Sequence, residues 1–209
     1  MEVKLFNQDG KEVWNIELNE TMFWQKEINE GLIHRALNYQ LANARQIVAH
    51  TKTRWERRGS TRKLYRQKWT GNARMGSNRS PIRKKWGVAF GPRKTVNFTI
   101  SMNKKERRKA LFCVLSSKVQ ENKLVVVDDL KFKDIATKNM VKTMNALPYE
   151  KNALLVIPSK NEIIERSASN LPYVKTILTN YLNIADLLKY NTLVLLKDSL
   201  QKMEESFVK

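Results

Sequence analysis

Short apolar runs alternate with helical patterns along most of this chain. The apolar runs are Leu124–Val127, Ala153–Ile157, Val174–Leu178 and Thr192–Leu196. Segments with helical spacing of apolar residues lie near residues 134–147, 161–168, 183–190 and 199–208. Parallel strands that are buried on both faces are apolar along their length and are joined by crossover helices. The alternation therefore predicts an α/β fold with a mostly parallel sheet flanked by helices.

The first part of the chain adds further elements. Residues 4–7 and 12–18 have the composition of short strands and are separated by the turn residues Gln8-Asp9-Gly10. Apolar residues at helical spacing predict an amphipathic helix over residues 29–45. Asn103, followed three positions later by Glu106, predicts a capping box at the start of a helix that runs to about Gln120. The predicted inward stripe of that helix is Leu111, Val114, Leu115 and Val119.

Residues 51–94 interrupt this pattern and are called the arm. They hold fifteen Lys or Arg and one acidic residue, Glu56, so they carry +14 of the net charge of +19. The arm has few aliphatic residues, and their burial cannot offset the conformational entropy lost on ordering. We therefore expect the free arm to be disordered. We predict that residues 1–50 and 95–209 form one α/β globular domain, with the arm as a long extended basic loop inserted in it.

A dense array of negative charge would order such a loop, and nucleic acid is the obvious source. Trp55, Tyr65, Trp69 and Trp86 add flat faces on which unpaired bases can stack. A solvated linker is the alternative, but linkers seldom carry three tryptophans. We favour RNA over DNA because no rigid recognition helix is predicted.

The predicted RNA contacts are basic, aromatic and amide side chains of the arm. They are Lys52, Arg54, Trp55, Arg57, Arg58, Arg62, Lys63, Tyr65, Arg66, Gln67, Lys68, Trp69, Arg74, Arg79, Arg83, Lys84, Lys85, Trp86, Arg93 and Lys94.

Patterns that would indicate catalysis are incomplete. Gly71 and Gly76 have the spacing of a phosphate-binding loop, but Ser77 stands where that loop requires Lys. Asp128 and Asp129 end a predicted strand, yet adjacent strand residues point to opposite faces, which favours a solvated strand end.

The remaining candidate residues favour structural roles. His34 and His50 have no evident Ser, Cys or Asp partner, and the single cysteine, Cys113, is expected to be a small packing residue within its helix. The stripe Met140, Val141 and Met144 is expected to be core. We therefore predict no catalytic residue, metal or cofactor. The alternative is a nucleic-acid-processing enzyme that uses the arm as a clamp.

Membrane association is not expected, because no apolar run approaches the length of a membrane span. A lone cysteine excludes an internal disulfide and fits a cytoplasmic location.

The arm contains a specific motif. The run Tyr65-Arg66-Gln67-Lys68-Trp69-Thr70-Gly71-Asn72-Ala73-Arg74-Met75-Gly76-Ser77 is followed by Arg79-Ser80-Pro81 and Gly87-Val88-Ala89-Phe90-Gly91-Pro92. This pattern resembles the loop signature of the universal, bacterial-type family of large-subunit ribosomal protein four. Three positions depart from it: Trp69 stands where the family generally has Gly, Asn72 where Arg is usual, and Lys85 where a glycine-rich pair is common.

The resemblance implies a structural constituent of the large ribosomal subunit that binds 23S-type rRNA and supports subunit assembly and translation in the cytoplasm. It implies that the arm penetrates the rRNA and lines the peptide exit tunnel at a constriction shared with large-subunit protein twenty-two. The implied tunnel tip is Tyr65, Arg66, Gln67, Lys68, Trp69, Thr70 and Gly71. The same resemblance implies that Arg74, Arg79, Arg83 and Lys84 anchor the returning strand of the arm on phosphates.

Overall fold

The computed structural model of the chain describes residues 2–83 and 87–207, which divide into two compact units. The arm unit is Ala44–Thr99, and the other described residues form the α/β unit. Lys84, Lys85 and Trp86, three of the predicted RNA contacts, lie outside the described residues.

A six-stranded sheet forms the centre of the α/β unit. Its strands are β1 Glu2–Phe6, β2 Glu12–Glu17, β3 Leu124–Val127, β4 Ala153–Ile157, β5 Val174–Leu178 and β6 Thr192–Leu196. The spatial order is β2-β1-β3-β6-β4-β5, with β2 antiparallel to β1 and every other neighbouring pair parallel. The predicted α/β fold with a mostly parallel sheet is confirmed.

Helices connect the strands and cover both faces of the sheet. They are α1 Glu20–Phe23, α2 Glu30–Ala44, α3 Lys104–Gln120, α4 Thr137–Ala146, α5 Glu162–Ala168, α6 Ile184–Lys189 and α7 Lys197–Phe207. A short 3-10 helix spans Thr179–Tyr181. The sequence predicted both ends of the six longer helices, α2 to α7, to within three residues. It did not predict α1 or the 3-10 helix, because a single helical turn has no period to detect.

Alternate residues of each central strand face different layers of helices. On β3, Leu124 and Val126 join a core cluster with residues of α1, α2, α3, α6 and α7. Val125 and Val127 join a second cluster with residues of α4 and α5. Complete burial of such a side chain contributes about 1.5–3 kcal/mol, so both layers are required for the sheet to be stable. This two-sided burial explains why the strands are apolar along their length.

The centre of α3 packs as its sequence predicts, but its start does not. Leu111, Val114, Leu115 and Val119 are all buried, and Cys113 is fully buried beside them as a free thiol. The predicted capping box is wrong. The Asn103 side chain makes no capping hydrogen bond, and the Glu106 carboxylate lies 3.7 Å from the Arg35 guanidinium on α2. Glu106 therefore faces another helix instead of its own N-terminus.

The predicted core stripe of α4 is present in part. Met140 and Met144 are fully buried, whereas Val141 is half-buried. The two methionines pack in the second core cluster, as expected for core residues.

Lys118 is a charged residue at a buried position of α3. Its Nζ donates hydrogen bonds to the carbonyl oxygens of Tyr190 at 3.0 Å and Asn191 at 2.9 Å. Burial lowers the pKa of Lys118, because the protein interior disfavours the charged form. The long side chain thus connects α3 to the turn before β6, and two of its three donors are paired there.

The turn between β1 and β2 depends on Gly10, whose φ is +76°. A Cβ at this position would lie 2.1 Å from the carbonyl oxygen of Ala146 at the end of α4. The obstacle is backbone, so it cannot move aside as a flexible side chain could. Glycine is required here by both conformation and space.

We expect Gly10→Ala to destabilise the α/β unit by at least about 1–3 kcal/mol, since it adds left-handed strain to a backbone clash. The matched control is Gly31→Ala near the start of α2, where the nearest atom to a new Cβ is 3.4 Å away. Because Ala favours helix over Gly, the control should be neutral or stabilising by up to about 1 kcal/mol. Urea unfolding of both variants checks this, and equal midpoints would contradict the account.

Candidate nucleic-acid interface

Within the α/β unit, the Asn43 side chain joins the two chain segments that immediately precede and follow the arm unit. The Asn43 carboxamide accepts from the Ile100 N–H at 3.0 Å and donates to the Ile100 carbonyl at 3.1 Å. One amide group therefore satisfies both backbone groups of a residue 57 positions away. Nothing in the sequence pattern identifies Asn43, because the pairing needs tertiary proximity.

Within the arm unit, the two strands of the arm lie side by side at their base. The Thr51 N–H donates to the Pro92 carbonyl at 2.9 Å, and the Val88 N–H donates to the Lys52 carbonyl at 3.0 Å. Gly91 permits this approach, because a Cβ there would lie 2.2 Å from the Thr51 hydroxyl. The base of the arm is thus a close backbone pairing without a regular sheet.

The one carboxylate of the arm lies at this base and forms what we call the Glu56 clasp. Arg93 donates to both Glu56 oxygens, at 2.8 and 2.9 Å, and the Thr53 N–H donates at 3.0 Å. His50 Nε2 is 3.7 Å from the same carboxylate. The hydrogen bond from Thr53, followed by that from Arg93, holds the pKa of Glu56 below its ordinary value. The clasp joins the outgoing and returning strands of the arm.

Glu56→Gln should loosen the base of the arm and accelerate amide exchange at Thr51, Thr53 and Val88, because it removes the charge from a bidentate pair. Since the folded pKa of Glu56 is depressed, the stabilisation is complete above the ordinary carboxylate pKa and is lost as pH falls through the folded value. The native arm should therefore loosen on acidification, whereas the Gln variant should not respond through this group.

The matched control is Glu12→Gln, which removes the exposed 2.7 Å pair with Lys4 in the α/β unit. It should leave exchange in the arm unchanged. Native-state hydrogen exchange measured by NMR at several pH values reads out both variants. Unchanged exchange at Thr53 in Glu56→Gln would refute the clasp.

The outer part of the arm is closed by contacts between its own residues. Lys63 and Ser77 form an isolated antiparallel bridge, and the Ser77 hydroxyl donates to the Ser60 carbonyl at 3.1 Å. Inside this closure the Tyr65 hydroxyl donates to the Ala73 carbonyl. The outer part of the arm has almost no apolar core, so hydrogen bonds between its own residues determine its conformation.

Trp69 lies inside this closed loop with an unusual backbone. Its φ is +65° and its side chain is 86% exposed. A left-handed conformation costs a residue with a Cβ roughly 1–2 kcal/mol. The Arg66 guanidinium donates to the Trp69 carbonyl at 2.8 Å, which helps to hold the strained residue. The family resemblance leads us to expect glycine at position 69, and the left-handed backbone found there is a conformation that favours glycine.

Two single substitutions of Trp69 separate the effect of the backbone strain from the effect of the indole ring. Trp69→Gly and Trp69→Ala both remove the ring, but only Gly removes the left-handed strain. We expect the tip of the Gly variant to open less readily than that of the Ala variant, by about 1–2 kcal/mol in hydrogen exchange. Arg66→Gln should increase opening in the native background and have little effect with Trp69→Gly. Equal opening in the Gly and Ala variants would contradict the strain.

The predicted contact residues divide into an exposed set and an inward set. The exposed cations are Lys52, Arg54, Arg58, Arg62, Lys63, Arg66, Lys68, Arg74 and Lys94. Gln67 is exposed, the Trp55 ring is 68% exposed, and Tyr65 and Thr70 are half-buried. Arg57 is buried, and Arg79, Arg83 and Arg93 are half-buried within the arm unit.

Two of the inward arginines have buried nitrogen atoms without a partner among the described residues. These atoms are Nη1 of Arg57, a residue that is 7% exposed, and Nε of Arg79. Arg83 instead contacts the Asn78 amide oxygen at 3.4 Å and the Met75 sulfur. A buried guanidinium N–H without an acceptor is costly, and a phosphate oxygen is a suitable acceptor.

The two most exposed apolar side chains in the described part of the arm were absent from the predicted contacts. Phe90 is fully exposed with φ of +55°, and Ile82 is 95% exposed. Phe90 belongs to the Gly87–Pro92 part of the motif, so the motif could have identified it. Ile82 has no such signal. Exposed aromatic and branched aliphatic side chains such as these can contact bases when a nucleic acid covers the arm.

The described residues contain no group of three or more side chains that could hold a metal ion. Asp128 and Asp129 are exposed, with Lys197 at 3.7 Å from the first and Lys131 at 3.5 Å from the second. His34 is exposed near Asn38. Within the described chain, no helix is both long and apolar enough to cross a bilayer.

An α/β unit with a cationic arm that exposes aromatic rings defines a class of protein suited to a polyanionic partner. The chain belongs to the ribosomal protein L4/L1 family, which matches residues 16–206. The family resemblance read from the arm is thereby confirmed. Members of this family are structural components and not enzymes, which also confirms the prediction that the chain has no catalytic role.

Three relatives are called large ribosomal subunit protein uL4 and are similar over almost their entire length. The relative from Agathobacter rectalis is 48% identical over 98% of both chains. That from Dehalococcoides mccartyi is 45% identical over 98% of this chain and 97% of its own. That from Caldicellulosiruptor saccharolyticus is 43% identical over 98% of both chains.

Proposed function

We propose that this chain is a structural constituent of the large ribosomal subunit that binds 23S-type rRNA chiefly through the arm. Residues 1–50 and 95–209 form the globular domain, and residues 51–94 penetrate the rRNA. The observation that carries this proposal is the imbalance of charge in the arm, whose only carboxylate already pairs with Arg93. In the part of the arm that the structure describes, nine exposed cations can contact phosphates. RNA supplies the charge that would offset their mutual repulsion.

The inward arginines have a distinct part in this proposal. Arg57 and Arg79 have buried nitrogen atoms that no described residue accepts from, so phosphate oxygens reaching them would complete their hydrogen bonds. These two residues would fix the position of the arm, while the exposed cations supply most of the non-specific affinity. Lys84, Lys85 and Trp86 remain predicted contacts on the strength of the sequence alone.

The tip, Tyr65–Gly71, lines the peptide exit tunnel in this proposal, close to large-subunit protein twenty-two. The exposed Trp69 ring supports a surface role, since a ring that is 86% exposed gains little from the arm itself. Stacking on a base contributes about 1–3 kcal/mol. The protein then acts in the cytoplasm, within the ribosome, and supports subunit assembly and translation. No observation favours the alternative of an enzyme that uses the arm as a clamp.

Salt dependence of binding to a large-subunit rRNA transcript tests the arm as the RNA-binding surface. If about half of the arm cations contact phosphates, log K against log salt should have a slope of about −5. Replacing Arg54, Arg58 and Arg62 with Gln should make the slope less steep by about 2, because each lost contact is worth about 0.7.

The matched control replaces three exposed lysines of the α/β unit, Lys138, Lys142 and Lys160, with Gln. Its net charge equals that of the arm variant, so non-specific effects of charge are the same. We expect its slope to match the native value. An equal reduction in both variants would show that overall charge, and not the arm, determines binding.

A further inference from the structure

Strand β2 forms an open edge of the sheet, because β1 is its one pairing partner among the described residues. Five of its six residues are exposed. Val13 is 52% exposed and Trp14 is 59% exposed, although the Lys197 ammonium lies 5.1 Å from the centre of the Trp14 ring. The strand contains neither Pro nor Lys, the residues that usually protect an edge.

The direction of the backbone groups on β2 follows from its neighbours. The Phe6 carbonyl accepts from the Asp128 N–H at 2.9 Å, so the backbone groups of Phe6 face β3. Because direction alternates along a strand, those of Leu5 face β2 and pair with Trp14, its partner in register. The N–H and C=O groups of Asn15 and Glu17 therefore point away from the sheet, where a further strand could pair with them.

The opposite edge of the sheet differs and gives an internal comparison. On β5, Val174 is buried and Ile177 and Leu178 are half-buried. Lys175 lies within that strand and pairs with Asp186 at 2.6 Å. That edge has both cover and an internal lysine, so β2 is the edge suited to strand addition.

Charge indicates what kind of segment could pair with β2. Residues 1–30 hold seven acidic and three basic residues, whereas the chain as a whole is strongly basic. Glu17 lies directly opposite Glu2 in the register of the two strands. Like charges opposite each other destabilise a pair, and a cation placed beside them would relieve this. The same charges would repel the phosphates of RNA.

A second copy of this chain fits the edge poorly. Two β2 strands side by side would bring together two edges that each carry Glu12 and Glu17 and have no cation within the strand. Neighbouring carboxylates repel one another, and the ammonium group of Lys4, 2.7 Å from Glu12, lies on β1 and not on the open edge. The geometry and charge together favour a basic, extended segment of a different protein.

We infer that β2 is a docking edge for a basic extended segment of another protein, which adds as a seventh strand beside Val13–Glu17. Its backbone pairs with Asn15 and Glu17, its apolar side chains cover Trp14 on one face of the sheet, and its cations lie beside Glu2 and Glu17 on the other face. This surface is separate from the RNA contacts proposed for the arm and does not depend on them.

The test uses the full chain and a fluorescein-labelled, acetylated probe peptide with the sequence Thr-Lys-Val-Lys-Val-Lys-Thr. Asn15→Pro removes the outward N–H, whereas the matched Asn15→Ala keeps it and loses only the side chain, whose amide bonds Glu2 at 3.1 Å. We expect the Ala variant to bind like the native chain and the Pro variant to bind at least about tenfold more weakly. Glu17→Lys should also weaken binding.

NMR should show the Asn15 and Glu17 amides shifting on titration and becoming protected from exchange. Urea unfolding establishes that the Pro variant remains folded. Equal binding by the Pro and Ala variants would overturn the proposal, as would equally strong binding of a peptide with Glu in place of Lys. Concentration-dependent dimerisation lost in Asn15→Pro, or displacement of the peptide from β2 by an RNA oligonucleotide, would assign the edge to a different occupant and equally overturn it.

Discussion

Mutual repulsion among the cations of the arm is the constraint on which the rest of the structure depends. Fifteen positive side chains with one carboxylate repel one another, and few aliphatic residues are available for a core. The one carboxylate lies where the two strands of the arm meet and pairs with Arg93. The other contacts described above within the arm are backbone hydrogen bonds and hydrogen bonds from single polar side chains. Such an arm has a defined base and presents most of its charge outward, where an external polyanion can neutralise it.

The sequence was most informative where burial is complete. Strands β3, β4 and β6 were predicted residue for residue, because burial on both faces leaves a continuous apolar signal. The bounds of the edge strand β5 were also predicted, although Val174 alone of its five residues is buried. The capping box was wrong because Glu106 has a competing partner, Arg35, on a helix far away in sequence. Asn43 was missed for the same kind of reason, since its partner Ile100 becomes a neighbour only in the fold. Local rules fail where a tertiary contact competes with them.

For the candidate interface, the sequence predicted which residue types would be present but not how each would be used. Composition treats all arginines of the arm alike. The structure separates exposed Arg58 from buried Arg57, and it uses Arg66 to hold the Trp69 carbonyl. The strain at Trp69 could be anticipated only from the glycine expected there by resemblance. The N-terminal segment has the opposite charge and an open sheet edge, so the chain carries two chemically different surfaces suited to different partners.

The most direct test of the central claim is hydroxyl-radical probing from the tip in assembled large subunits. Cys113 is buried in an apolar core and is replaced by Ala, which leaves a single introduced cysteine as the site of an iron chelate. A cysteine at Trp69 should direct cleavage of rRNA around the peptide exit tunnel, whereas one at exposed Lys160 on the α/β unit should cleave elsewhere or not at all. The same cleavage pattern from both positions, or no rRNA cleavage from position 69 in fully assembled subunits, would contradict the account.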